Sequence, residues 1–230
     1  MKITAIIAAA GQGRRLKTRR LKALVPVLGR PLLIYTLKGL KKSFSFYEMI
    51  VVAPTGRVED FKSILRRHSL GSVRVIRGGR TRAESVRNGV RNVSKVSQWV
   101  LVHDAARPWV NARLVRRLIR SVKKTGVATL AIPVTSTVKR VDAIHKNIAR
   151  TEDRGSLILA QTPQVFKKDL LMKRYRILGP KALSATDETA LFDGSMTRVS
   201  VVPGDERNIK ITTVQDLDLF KFYLRKTQNA

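Results

Sequence analysis

Cysteine is absent from the 230-residue chain, which excludes disulfide scaffolds, thiolate zinc sites, iron–sulfur clusters and thiol nucleophiles, and removes any sign of an oxidising compartment. The expected setting is a reducing cytoplasm, or a plastid stroma if the source were a plant. Acidic residues are scarce: 16 Asp and Glu stand against 46 Lys and Arg, for a formal net charge of +30. Histidine occurs three times. No apolar run approaches the roughly 18 residues of a membrane helix, so no membrane partner is expected. The opening MKITAIIAAA has a Lys, a short apolar stretch and an Ala-x-Ala at 8–10, the outline of a small signal peptide. Its apolar part is at the short limit for that and reads equally well as a first buried strand.

What is present suffices to fold. An apolar share of 43% supports a core, and the length suits one α/β domain spanning 1–230. The charge attracts polyanions whatever the fold, which predicts weak, salt-sensitive and non-specific binding to nucleic acid. Most of the excess reads as solvated surface, since only a few cations can line one small-molecule site.

Short β-rich apolar runs at 3–8, 49–53, 73–77, 99–103, 127–134 and 197–202 alternate with helical patterns at 31–41, 57–68, 82–93 and 111–125. In the last of these, Leu114, Val115, Leu118, Ile119 and Val122 repeat at helical spacing while Arg116, Arg117, Arg120 and Lys123 fill the outer face. Such alternation predicts a twisted, mostly parallel sheet covered by helices, with binding residues at the carboxyl ends of its strands. The pattern breaks over about 135–155, where 137–142 and 144–151 read as short polar strands of a projecting arm. A final helix over 214–225 begins behind Thr213, with Asp216 as a box-like cap.

The first strand runs into Ala9-Ala10-Gly11-Gln12-Gly13-Arg14-Arg15. Glycines there let backbone N–H groups face a phosphate, and arginines supply bidentate charge. The loop fits neither common template. A dinucleotide fingerprint wants Gly where Leu16 stands, and a Walker A loop needs a Gly-Lys pair that the chain lacks. Arg14, Arg15, Lys17, Arg19, Arg20 and Lys22 crowd beside it and repel one another unless a polyanion is present. Residues 78–89, GGRTRAESVRNG, repeat the layout of paired glycines before a helix start, which predicts a second anion or sugar site. The strand at 99–103 leads into Asp104, a carboxylate at the sheet edge. Beside two phosphate-type loops, Asp104 is a magnesium-ligand candidate, since Mg²⁺ is commonly held by one or two carboxylates plus substrate phosphates. His103 could act as a base, but without a visible partner it reads as structural.

Together these segments resemble the 2-C-methyl-D-erythritol 4-phosphate cytidylyltransferase family over almost the whole chain. The resemblance rests on AAGxGxR at 9–15, Lys22, LGxP at 28–31, GGxxRxxSVxNG at 78–89, VHDAARP at 102–108, PVxxTxK at 133–139, AQTPQxF at 160–166, TDE at 186–188 and NIKITT at 208–213. Two departures stand out: Ala23-Leu24 where the family has Gln and an aromatic, and Ser136 where it commonly has Asp. The resemblance implies a Rossmann-like domain with a mixed sheet and an arm that clasps a second subunit into a homodimer. It implies transfer of a cytidylyl group from CTP, with Mg²⁺, to methylerythritol phosphate. It makes Arg15, Lys22 and Lys210 the catalytic cations. Ala9, Ala10, Gly11, Gly13, Gly79, Arg82, Ser85 and Ala105 line CTP, while Asp104, Thr137, Arg154 and Thr162 hold the second substrate. Mg²⁺ would be carried mainly by the CTP phosphates.

Two rival readings have discriminating features. A cytidylyltransferase for another polyol phosphate, such as ribitol 5-phosphate, shares the glycine loops but tends to differ around HDAARP and AQTPQ. A basic nucleic-acid-binding protein would not need Arg15, Lys22 and Lys210, and the stretch from Arg14 to Lys22 has no aromatic residue for base stacking.

Overall fold

The computed structural model describes every residue except Gln12, Lys17, Arg19, Ala143, His145, Asn229 and Ala230, and describes Arg14 and Gln228 by backbone only. Lys17 and Arg19 of the cationic run therefore lie outside the described residues. In chain order the elements are β1 (Ile3–Ala8), β2 (Pro26–Val27), β3 (Arg30–Pro31), α1 (Leu32–Ser43), β4 (Glu48–Ala53), α2 (Val58–Arg67), β5 (Arg74–Arg77), α3 (Arg82–Arg91), β6 (Trp99–Asp104), α4 (Ala112–Thr125), β7 (Val127–Pro133), β8 (Lys139–Val141), β9 (Ile148–Thr151), β10 (Ile158–Lys167), α5 (Lys168–Leu178), β11 (Ser200–Pro203) and α6 (Val214–Gln228).

One seven-stranded sheet has the order β11-β7-β10-β6-β1-β4-β5. Strand β1 is apolar on both faces because it is central: Ile3, Ala5 and Ile7 join the core under α1, α2 and α4, whereas Ile6 joins the core with Val86 and Val90 of α3. On α4 the five apolar residues read from the sequence are buried and Arg116, Arg117, Arg120 and Lys123 are exposed. Asn111 caps α4 by accepting from the backbone of Arg113 at 2.9 Å, and Gly126, at φ +80°, ends it.

The pairings β1–β4, β1–β6, β4–β5 and β7–β11 are parallel, while β10 runs antiparallel between β6 and β7. The apolar patterning of the sequence predicts neither β10 nor α5. The middle of β10, Gln161-Thr162-Pro163-Gln164, breaks apolar alternation and contains a proline, which argues against a strand. It is tolerated because the strand register shifts between Gln161 and Gln164 and the amides find partners: Gln161 donates to the Asp205 carbonyl at 2.9 Å and Gln164 to Asp187 at 2.8 Å. The strand expected at 197–202 is confined to Ser200–Pro203, the residues that pair with 128–131 of β7.

The arm is a separate hairpin of β8 and β9, both exposed and shorter than expected. Ala143 and His145, within the expected arm, lie outside the described residues. At its base Arg154 donates to the Thr135 carbonyl at 2.7 Å.

Parallel pairing puts the carboxyl ends of β1, β4, β5 and β6 on one edge. The chain leaves β1 toward β4 on one side and reaches β6 on the other, so the strand order reverses at β1. Register pairs Ala8 with Asp104 there, bringing the first glycine loop and the carboxylate together at the switch point.

Candidate active site

The loop after β1 is tied down where the Ala9 N–H donates to the Val52 carbonyl at 3.0 Å and the Leu16 N–H closes a tight turn on Gly13 at 2.9 Å. Gly13 has φ +71°, and a Cβ there would stand 2.8 Å from the Lys22 Cβ. Glycine therefore serves both the left-handed backbone and the close approach of the Lys22 segment. Lys22 begins a short 3₁₀ turn, Lys22–Leu24, followed by the β2–β3 hairpin. The hairpin turns through Leu28 at φ +44° and Gly29 at φ +75°; glycine suits the second of these left-handed positions, while Leu28 takes the first against its ordinary preference. Bonding of the Leu32 N–H to the Val25 carbonyl at 3.0 Å anchors the far side.

The second glycine loop is self-satisfied. The Ser85 hydroxyl accepts from the Gly79 N–H at 3.0 Å and donates to the Thr81 carbonyl at 2.8 Å. Thr81 caps α3 by accepting from the Glu84 N–H at 3.1 Å, and the Glu84 carboxylate accepts from the Arg80 N–H at 2.8 Å. A Cβ on Gly79 would fall 2.3 Å from the Glu84 Cγ, so this loop closes only with glycine.

Between the loops stands Asp104, buried and double-paired. Its Oδ1 accepts from Arg82 Nε at 2.9 Å and its Oδ2 from Lys210 Nζ at 2.6 Å. The other two guanidinium nitrogens of Arg82 both donate to Glu188, which is buried, at 3.0 Å each. Burial alone would raise the Asp104 carboxyl, but Arg82 and Lys210 outweigh it and hold the group well below the usual carboxylate range. Glu188 is pushed upward by burial against the pull of Arg82.

A buried chain of hydrogen bonds fixes the backbone of Asp104. Its N–H donates to Thr162 Oγ1 at 3.1 Å, and Thr162 Oγ1 lies 3.0 Å from His103 Nδ1. His103 Nε2 lies 2.9 Å from the Arg107 carbonyl, which can only accept. This assigns the proton to Nε2 and makes Nδ1 the acceptor from Thr162. Burial lowers the His103 pKa to about 4, against the bond to Arg107, so the ring is neutral and structural.

Lys22 faces other cations. Burial, then repulsion from Lys210, lowers its pKa to about 8; Asp104 opposes this and Arg15 adds to it. Lys210 is held in place by the segment around it: Asn208 donates to the Thr162 carbonyl at 2.8 Å, Arg107 donates to the Asn208 carbonyl at 2.6 Å, and the Ile211 N–H donates to the Ala106 carbonyl at 2.8 Å.

A cavity of about 790 Å³ opens over these groups. Its lining includes Ala9, Ala10, Gly11, Gly13, Arg15, Lys22, Gly79, Arg82, Ser85, Asp104, Ala105 and Lys210, so twelve of the sequence-predicted residues share one space. Thr137, Arg154 and Thr162 are not in that lining: the first two belong to the arm and its base, and the Thr162 hydroxyl is spent on Asp104 and His103. Nothing in the sequence alone gives Glu188, Arg107 or Asn208 a role. Only the TDE, HDAARP and NIKITT motifs point toward them. Among the described residues no group of three or more His, Cys, Asp or Glu could hold a metal ion, and each Asp104 oxygen already accepts from a cation.

The profile of the family described as IspD, 2-C-methyl-D-erythritol 4-phosphate cytidylyltransferase, matches residues 3–226. A relative of that name from Bacillus licheniformis is 35% identical over 218 residues, covering 94% of this chain and 93% of the relative. A bifunctional IspD/IspF enzyme from Desulfotalea psychrophila is 36% identical over 221 residues; the match takes in 96% of this chain and 56% of that enzyme, so the chain spans about half of its length. Among solved structures, 4-diphosphocytidyl-2C-methyl-D-erythritol synthase from Anaerococcus prevotii superposes with a TM-score of 0.84 at 31% identity, covering 97% of this chain and 98% of its own. With a family model matching residues 3–226, relatives about one-third identical over nearly the whole chain and a solved structure of the same fold, the chain belongs to the 2-C-methyl-D-erythritol 4-phosphate cytidylyltransferase family.

Proposed function

We propose that this chain joins 2-C-methyl-D-erythritol 4-phosphate to CTP, giving 4-diphosphocytidyl-2-C-methyl-D-erythritol and pyrophosphate. The observation that carries this reading is the gathering of Arg15, Lys22 and Lys210 with two glycine loops around one cavity whose single lining carboxylate is already paired. Such a site is built for phosphates and not for proton abstraction. The attacking phosphate monoester, with a second pKa near about 6, is already largely dianionic at neutral pH and needs no base. His103 is neutral, buried and fully bonded, consistent with that.

Lys22 and Arg15 would meet the charge that develops at the α-phosphate, while the backbone of Ala9, Ala10, Gly11 and Gly13 cradles the triphosphate. Gly79, Ser85 and Ala105 would border the cytidine. Arg82 contributes by holding Asp104, since its own guanidinium is committed. Lys210, held by Asp104, would orient the second phosphate, Asp104 would accept from hydroxyls of the polyol, and Thr162 supports them from behind. Mg²⁺ would be held chiefly by the CTP phosphates and would supply charge neutralisation when bound. The ribitol 5-phosphate and nucleic-acid readings are disfavoured by intact HDAARP, AQTPQ and catalytic cations. Weak, non-specific attraction to nucleic acid remains an expected by-product of the +30 charge. A cytoplasmic setting agrees with the lack of cysteine and with the finding that no described helix is long and apolar enough to cross a membrane.

The arm fits a homodimer role. An isolated two-stranded hairpin is marginal in water, and Val141, Ile144 and Ile148 are exposed on this one. A second copy covering it would carry Thr137 and Arg154 to the partner's cavity.

Pyrophosphate release with CTP, Mg²⁺ and a panel of polyol phosphates tests the reading. Methylerythritol phosphate should outrun ribitol 5-phosphate, and UTP should replace CTP poorly; equal turnover across the panel would contradict the assignment.

Lys22→Ala should lower kcat far more than it raises KM for CTP. Because the Lys22 pKa is lowered, its charged form is lost as pH rises through about 8, so wild-type kcat/KM should fall above that pH. A flat alkaline limb, or a KM effect alone in the variant, would remove Lys22 from the transition state.

Lys22→Ala and Arg154→Ala proteins, each nearly inactive, should regain activity when mixed under subunit exchange, because one site of a mixed dimer then carries neither lesion. No recovery with exchange demonstrated separately would confine Arg154 to its own chain.

A further inference from the structure

A second cavity, of about 470 Å³, lies between α3, α5 and the 3₁₀ segment Gly179–Ser184, and shares no lining residue with the reaction cavity. Arg87 and Arg91 from α3, and Arg176 and Tyr175 from α5, line it together with the apolar side chains of Val90 and Leu183. Arg87 and Arg91 are four residues apart on one helix face, where like charges repel. Among the described residues, no ion pair joins Arg87, Arg91 or Arg176 to a carboxylate.

A solvated basic patch would account for exposed cations alone, but two donors here are withdrawn from water. Arg87 Nε and Tyr175 Oη are buried and have no hydrogen-bond partner. Buried donors are nearly always paired, so two beside the same cavity call for an acceptor. Burial, and after it the Glu188 carboxylate, raises the Tyr175 pKa, which keeps its hydroxyl protonated as a donor. Guanidinium forks match phosphate oxygens in bidentate fashion.

We propose that this cavity is a second anion site, which takes a small organic phosphate with its oxygens on Arg87, Arg91, Arg176 and the Tyr175 hydroxyl and its carbon chain on Val90 and Leu183. The site does not depend on the cytidylyl-transfer reading, and neither its arginines nor Tyr175 belong to the reaction cavity.

The test is calorimetric titration of the full chain with n-butyl phosphate, with and without saturating CTP. One molecule should bind per chain in a manner that CTP does not displace, and inorganic phosphate, lacking the carbon chain, should bind more weakly. Arg91→Gln/Arg176→Gln should weaken binding about tenfold or more, as loss of charge-assisted bonds implies, with turnover unchanged. Tyr175→Phe, which keeps the ring packing, should weaken it without altering net charge. Arg113→Gln/Arg120→Gln on α4, which removes the same charge from another surface, should leave it intact. Displacement of all bound n-butyl phosphate by CTP, an equal loss in both charge-removing pairs, unchanged binding in Tyr175→Phe, or no binding in the millimolar range would overturn the site.

Discussion

The site depends on one buried ion, the Asp104 carboxylate. Taking a carboxylate out of water costs several kcal/mol unless cations and hydrogen bonds replace the lost hydration. The replacements come from distant parts of the chain: Arg82 from the second glycine loop, Lys210 from the segment before α6, and Thr162 from β10. Each is in turn held by a second partner: Arg82 by Glu188, Thr162 by His103, and the Lys210 segment through Asn208 and Arg107. Satisfying Asp104 therefore draws the second glycine loop, β10 and the chain around Lys210 onto one sheet edge.

The cations do not all profit from this arrangement. Arg82 is held charged between two carboxylates, whereas Lys22 is crowded by Lys210 and Arg15 with only partial relief from Asp104. An incoming polyanion would relieve that repulsion. A charge-rich phosphate bound there gains from cations already positioned and partly desolvated, which is how a preorganised site lowers the barrier to phosphoryl chemistry. The glycines serve the same end: Gly13 admits Lys22, and Gly79 lets its loop close over Glu84.

Much of this is legible in the residues. Apolar runs give the parallel strands β1, β4, β5 and β6, and with them the edge where the site has to be. The two glycine loops and Asp104 follow from where those strands end. What stays hidden is long-range or disguised. Strand β10 has buried glutamines and a proline at its centre, and its polar groups make sense only beside Asp205 and Asp187. The grip of Glu188 on Arg82 spans 106 residues, and no local pattern encodes such a pairing. Asp104 reads as a free carboxylate and a metal-ligand candidate because the cations that occupy both its oxygens come from elsewhere in the chain.

The Asp104 charge sets the electrostatics of the cations that line the cavity. The most direct test is the pKa of the Lys22 ammonium in Asp104→Asn, read by NMR from lysine labelled at its ε carbon. Because Asp104 raises the Lys22 pKa in the native protein, removing its charge at nearly constant shape should move that value further below about 8 in a chain that remains folded. A Lys22 pKa that stays the same or rises in the folded variant would contradict the account.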